Sequence, residues 1–168
     1  ERFAIVHRDV SPANLLVSTM LDATGATREV HVDGYPYDPH LSPDGERFAY
    51  VVDGAMTVRS LGAPLVVGAS AGVPITVAAP SRPTEEFGTA EFVAQEELAR
   101  TRGHWWSPDG RYLVYQRTDN APVDTLYVAN PLHPDQAPVA FRYPRACRPN
   151  ADVGLRIFDT RRSSLVQD

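Results

Sequence analysis

Apolar residues come in short runs along the chain, and Gly, Pro, Asn and Asp cut the runs apart. That is the pattern of many short strands joined by tight turns. The clearest unit is His40-Leu41-Ser42-Pro43-Asp44-Gly45-Glu46-Arg47-Phe48-Ala49-Tyr50-Val51, which recurs as Trp105-Trp106-Ser107-Pro108-Asp109-Gly110-Arg111-Tyr112-Leu113-Val114-Tyr115-Gln116. In each copy a strand runs into Ser-Pro-Asp-Gly and a second strand runs out. Pro presets φ for the turn, Asp bonds its own backbone, and Gly accepts a positive φ. Phe48 and Tyr50, like Tyr112 and Val114, then alternate with their neighbours at period two. A second turn follows each copy. Asp53-Gly54 leads into the strand Ala55 to Leu61, and Asp119 to Pro122 leads into Thr125 to Val128. Asp-Gly between two such runs is a hairpin signal, so the unit is an antiparallel meander of three or four strands.

The serines of the two copies lie 65 residues apart, whereas a propeller repeat is typically about 40–50 residues. The excess predicts an insertion between about Ser81 and Gly103. Leu15 to Val30 reads as the outer part of an earlier blade, with Thr24-Gly25 as its turn. Val153 to Phe158 reads as the start of a later one. The expected fold is therefore all-β: a partial β-propeller of about three blades (1–36, 37–80, 104–145 and the start of another at 150–168) with a helical insertion at 81–103. Within that insertion, Glu91 to Arg102 has no Gly or Pro and carries good helix formers, and Thr89 is placed to cap the helix. A helix is not needed to close a propeller, so this is where function is expected.

Composition changes the picture little. The chain of 168 residues is 43% hydrophobic and 22% charged, enough to form a core. A net charge of −5 argues against a nucleic-acid partner, which requires a basic face. The single cysteine, Cys147, excludes a disulfide framework within the chain. No apolar run reaches the roughly 18 residues of a membrane span. The chain begins at Glu1 rather than Met and reads as a piece of something longer, which leaves its compartment open. The five histidines are scattered without paired ligand spacing, so neither a metal site nor a cofactor is read from the sequence.

Glu91-Phe92-Val93-Ala94-Gln95-Glu96-Glu97-Leu98, followed by His104-Trp105-Trp106-Ser107-Pro108-Asp109-Gly110, resembles the propeller of the dipeptidyl peptidase IV family in the prolyl oligopeptidase clan. There a short helix with two adjacent glutamates precedes a Trp-Trp-Ser-Pro-(Asp/Asn)-Gly strand. Downstream, Thr118-Asp119-Asn120-Ala121-Pro122-Val123 sits where the family has an acidic, proline-containing turn. Arg142-Tyr143-Pro144-Arg145-Ala146 and Asn150-Ala151-Asp152-Val153 resemble its Tyr-Pro-x-Ala-Gly…Asn-Pro-x-Val stretch. Cys147 stands where the family favours Gly, and Ala151 where it favours Pro. The resemblance runs from about Tyr35 to Asp159. An upstream Arg contacts substrate in the family; Arg8 lies in the corresponding region without a clean alignment.

The resemblance implies that Glu96 and Glu97 bind the free amino terminus of a peptide substrate. The chemistry is sound: an α-ammonium of pKa about 8 is mostly charged at neutral pH, and two carboxylates accept its protons in charge-assisted bonds. It also implies a serine exopeptidase that releases dipeptides, with Pro or Ala before the cut. The catalytic triad would lie in a separate C-terminal α/β-hydrolase domain of the same parent chain, so that this chain alone is inactive. A homodimer is expected by analogy with the family. Outside such a context, adjacent glutamates are ordinarily solvated surface residues, and Glu85-Glu86 is read that way. Trp105 and Trp106 are read as blade packing rather than substrate contacts. The alternative is a non-enzymatic TolB-like propeller, a binding or scaffold module. It explains the Ser-Pro-Asp-Gly repeats equally well but not the acidic helix joined to the second of them.

Two further motifs are set aside. Gly68-Ala69-Ser70-Ala71-Gly72 matches a nucleophile elbow, which requires a helix after it, but Val73-Pro74-Ile75-Thr76-Val77 is β-branched and contains Pro. His7-Arg8-Asp9-Val10-Ser11-Pro12-Ala13-Asn14 matches a kinase catalytic loop, but the chain has no Lys and no Asp-Phe-Gly.

Overall fold

The computed structural model describes residues 3–6, 16–21, 27–32, 34–61 and 72–167. Arg8, the His7–Asn14 motif, the Thr24-Gly25 turn and Gly68–Ala71 lie outside the described residues. Strands β1 (Phe3–Val6), β2 (Leu16–Leu21) and β3 (Thr27–Val32) form an antiparallel three-stranded sheet. A second sheet follows in simple meander order: β4 (Tyr37–Leu41), β5 (Arg47–Val52), β6 (Ala55–Ser60) and β7 (Ile75–Ala78). Val52 and Ala55 close the β5–β6 hairpin. Its turn residues Asp53 and Gly54 both have positive φ, 49° and 73°, as a type I′ turn requires.

The chain then enters β8 (Glu85–Phe87), a short helix α1 (Phe92–Glu97), β9 (His104–Trp106) and the long strand β10 (Tyr112–Asp119). After an outlying hairpin of β11 (Thr125–Val128) and β12 (Val139–Arg142), it returns as β13 (Asp152–Asp159) and β14 (Ser164–Gln167). The third sheet has the order β14-β13-β10-β8, with β9 also paired to β10. All of its pairings are antiparallel.

The two Ser-Pro-Asp-Gly turns are the same object built twice. Ser42 N–H donates to Arg47 O at 2.9 Å and Ser107 N–H to Tyr112 O at 2.8 Å. The serine hydroxyls donate to Asp44 and Asp109, and Gly45 and Gly110 both have φ of 68°.

Blade sheets in a propeller bury both faces, and β5 does so. Phe48 and Tyr50 join Val30, Val32 and Leu61 in a cluster against the first sheet. Ala49 and Val51 join Met56 and Val58 in a second cluster, completed by Phe87, Leu113, Tyr115 and Phe158 of the third sheet. Period-two alternation thus sorts side chains between two cores rather than between core and solvent. The architecture is a partial all-β propeller with one short helix.

Three expectations change. The stretch 150–168 was expected to start a further blade, but β13 pairs with β10 along its whole length, from Tyr112↔Asp159 to Asp119↔Asp152. Thr125 to Val128 was expected beside β10 as the next meander strand, but β11 pairs only with β12 in its own two-stranded ribbon. A strand of alternating residues does not encode its partner, and the 32-residue excursion between β10 and β13 hides the pairing. Finally, the 81–103 insertion contains β8, so the true excursion is residues 88–103. Removing its 16 residues from the 65-residue spacing leaves 49, within the range of a propeller repeat.

Candidate functional site

β8 and β9 occupy the same edge of β10, and the 88–103 excursion interrupts what would otherwise be one strand. Phe87 pairs with Arg117, and His104 pairs with Tyr115. Between those pairs stands Gln116, whose backbone holds both lips of the break: Gly88 N–H donates to its carbonyl and its own N–H donates to Gly103 O, each at 2.8 Å. A bridge between Thr89 and Arg102 closes the neck. Gly103 lies so close that a Cβ there would fall 2.3 Å from the carbonyl carbon of Thr89.

Gln116 is also a buried polar side chain, only 2% exposed. Its Nε2 donates to Glu91 at 2.7 Å and to Thr118 at 2.9 Å, and its Oε1 accepts from Arg100 at 3.0 Å. Arg100 in turn pairs with Glu91 at 3.1 Å. Glu91 and Arg100 flank α1 on either side, so one strand residue fixes both ends of the helix. The expected cap does not form. Thr89 donates instead to Glu86 at 3.2 Å, and the N-cap is Glu91 without a side-chain cap bond. The helix is six residues long, shorter than its composition predicts. It ends at Leu98, after which Ala99 turns left-handed with φ of 50° and Arg100 N–H donates back to Ala94 O at 2.9 Å. Ala94 is fully buried, and Phe92 packs edge-on to Tyr143, ring centres 5.2 Å apart.

Glu96 and Glu97 occupy the last turn of α1 and are both exposed. Among the described residues neither has a hydrogen bond or ion pair. A cavity of about 490 Å³ lies beside the helix, lined by Glu86, Glu91, Phe92, Gln95, Asn120 and Arg142 among others. Glu91 and Gln116 belong to the site without a sequence motif of their own, and Glu86, read from the sequence as solvated, lines the cavity. For Gln116 the signal was a polar residue amid the apolar run of β10.

The reading of Glu85 as a solvated residue is overturned. Glu85 is 7% exposed and accepts from Arg117 at 2.7 Å, Arg82 at 3.0 Å and Ser81 Oγ at 2.6 Å. The Ser81 hydroxyl and then the two guanidinium groups hold its carboxyl well below the usual carboxylate range. Asp119 shares Arg82 at 3.0 Å, which ties β8 to the turn after β10. Sequence adjacency concealed this because alternation along β8 sends Glu85 and Glu86 to opposite faces. Trp106, half-buried, packs against the shared core and donates Nε1–H to His40 O at 3.1 Å, joining the second and third sheets. Beside it, burial keeps the His104 imidazole below its ordinary pKa.

Comparisons with known proteins agree with this architecture. The family model for the dipeptidyl peptidase IV (DPP IV) N-terminal region matches residues 7–167. A Botryotinia fuckeliana protein named "Probable dipeptidyl-aminopeptidase B" is 26% identical over 151 residues, covering 82% of this chain and 16% of that protein. Human dipeptidyl peptidase 8 is 32% identical over 79 residues, covering 42% of this chain and 9% of that protein. The chain thus spans about a sixth or less of the length of these relatives. The crystal structure of Porphyromonas gingivalis dipeptidyl peptidase 4 covers 96% of this chain and 22% of its own, with a TM-score of 0.70 at 19% identity, a likeness of fold. With the family model matching nearly its whole length, the chain belongs to the dipeptidyl peptidase IV N-terminal region family.

Proposed function

We propose that this region is the substrate gate of a serine-type dipeptidyl peptidase. Glu96 and Glu97 take the charged amino terminus of a peptide, and a separate C-terminal α/β-hydrolase domain of the parent protein cuts after the second residue. The observation that carries the reading is the state of the pair. Among the described residues, these two adjacent carboxylates stand exposed and without a cationic partner within the 88–103 excursion, while the nearby Glu85 of β8 and Glu91 before the helix are neutralised by arginine. Like charges side by side favour a cation between them, and a peptide α-ammonium offers three donors to two carboxylates. Fixing that terminus at a set distance from a nucleophile makes the enzyme count residues, so dipeptides leave and blocked termini are refused. The relatives' names support the peptidase class. Homodimerisation of the parent is part of the proposal by analogy with the family.

The test is steady-state kinetics of the full-length parent on a dipeptidyl-Pro chromogenic substrate. Glu96→Ala and Glu97→Ala are each expected to lower kcat/KM by about thirtyfold or more, the loss that follows from removing one partner of a desolvated charge pair. Gln at either position restores part of it, keeping an acceptor but losing the charge. Glu46→Ala, at an exposed carboxylate on the first Ser-Pro-Asp-Gly turn, serves as the silent control. Losses no larger than that of the control would refute the assignment.

A further inference from the structure

We propose that Asp38, His40 and His104 form a binding site for a divalent transition-metal ion of the zinc class, bridging β4 of the second sheet to β9 of the third. The argument begins with hydrogens. His104 is fully buried, and its Nδ1 lies 3.0 Å from Gly88 O. A carbonyl only accepts, so Nδ1 carries the proton and Nε2 presents a bare lone pair. Among the described residues, that Nε2 is buried without any hydrogen-bond partner, and so is Asp38 Oδ2. A buried acceptor left without a donor is costly, and two acceptors cannot satisfy each other. A cation satisfies both.

The geometry fits such an ion. Asp38, His40 and His104 each offer a ligand atom, all within 4.8 Å of one another. Ligands at about 2.0–2.2 Å from a common tetrahedral Zn²⁺ stand roughly 3.3–3.6 Å apart, so the widest pair closes by at most about 1.5 Å on binding. The His104 Nδ1–H···O=C bond is the kind of outer contact that fixes the tautomer and ring of a metal-binding histidine. Two imidazoles with one carboxylate suit zinc, cobalt or nickel rather than calcium or magnesium, which take all-oxygen sets.

His40 completes the set. Its Nδ1 lies 3.1 Å from Arg102 Nη2, a donor, so Nδ1 accepts and Nε2 carries the proton now shared with Asp38 at 2.7 Å. On binding, the ion takes that proton's place at Nε2. The proton moves to Nδ1, and the exposed Arg102 side chain turns to solvent, with no net proton gained or lost. The side chains of His40 and Asp38 are 28% and 19% exposed, which gives the ion a way in. Asp38 and His40 sit on one sheet and His104 on another, 64 residues or more along the chain, which is why the sequence shows no ligand spacing. A bound ion would staple the sheets where Trp106 already joins them, at the neck of the 88–103 excursion.

The test uses the chelator-stripped full-length protein, with Zn²⁺ alone and Co²⁺ alone as probes. Wild type is expected to take up one equivalent more than either Asp38→Asn or His40→Ala, or to bind that equivalent at least about tenfold more tightly. Co²⁺ is expected to give a low-symmetry d–d spectrum that the variants lack. Zn²⁺ should raise the melting temperature of wild type and not of the variants, and Mg²⁺ should do neither. Both substituted side chains are partly exposed, so circular dichroism can verify that the variants fold. Uptake and melting shifts equal in wild type and variants, or no uptake at all, would overturn the site.

Discussion

At the scale of single residues, the third sheet depends on charges that sequence alone misassigns. Glu85 looked like one of a solvated pair, yet it is buried and takes bonds from Ser81, Arg82 and Arg117. Its depressed pKa carries a sign. A carboxylate whose folded pKa lies below its unfolded value stabilises the fold fully above the unfolded pKa, and loses that contribution as the pH falls through the folded one. Stability of the parent's propeller should therefore decline as pH drops below the ordinary glutamate value of about 4.3. Glu85→Gln should flatten that decline while lowering stability at neutral pH. Denaturant melts of wild type and variant between neutral and acid pH measure both, and parallel curves would contradict the assignment. Cys147 gives the converse lesson: it stands where the resembled family favours Gly, and its φ of 63° is the left-handed region that glycine prefers.

At the scale of elements, the notable construction is a strand broken to admit a helix. Apolar periodicity and turn residues made β5, β6, β10 and α1 legible, because those signals are local. The pairing of β13 with β10, the separate β11–β12 ribbon and the exact mouth of the excursion were not, because they depend on contacts across 16- and 32-residue gaps. Thr89 failed as a cap for a related reason. The neck bridge to Arg102 claims its backbone, and the helix starts later, at Phe92. The neck also sets a sharp steric limit. A Cβ on Gly103 would meet backbone atoms of Gly88 and Thr89 at 2.6 Å and 2.3 Å, atoms that cannot rotate away. Gly103→Ala should cost about 3 kcal/mol or more, the upper range for overpacking. It should also impair the free-amino preference along with Glu96 and Glu97, since it displaces the helix. Equilibrium unfolding of the parent measures the first effect; a change below about 0.5 kcal/mol, the range of neutral surface substitutions, would show that the neck is looser than described.

At the scale of the molecule, β5 of the second sheet packs one set of side chains against the first sheet and the alternate set against the third, while one face of β13 carries exposed apolar residues. Val153 and Leu155, two residues apart and so on one face of β13, are 43% and 59% exposed, an apolar surface of the kind a neighbouring blade covers. The 168 residues produced alone should therefore self-associate. A monodisperse monomer with a cooperative melt in analytical ultracentrifugation and calorimetry would count against the partial-propeller architecture. The central claim is the one proposed for the parent protein: that its propeller reads the charge of a substrate's amino terminus through Glu96 and Glu97. The most direct measurement is the ratio of kcat/KM for a dipeptidyl-Pro substrate to that for its amino-acetylated analogue, in the wild-type parent and in the Glu96→Ala/Glu97→Ala double variant. The account predicts a large ratio in wild type that collapses in the double variant, because activity on the free amine falls while the already poor activity on the blocked peptide stays. A ratio that survives the loss of both carboxylates would contradict it.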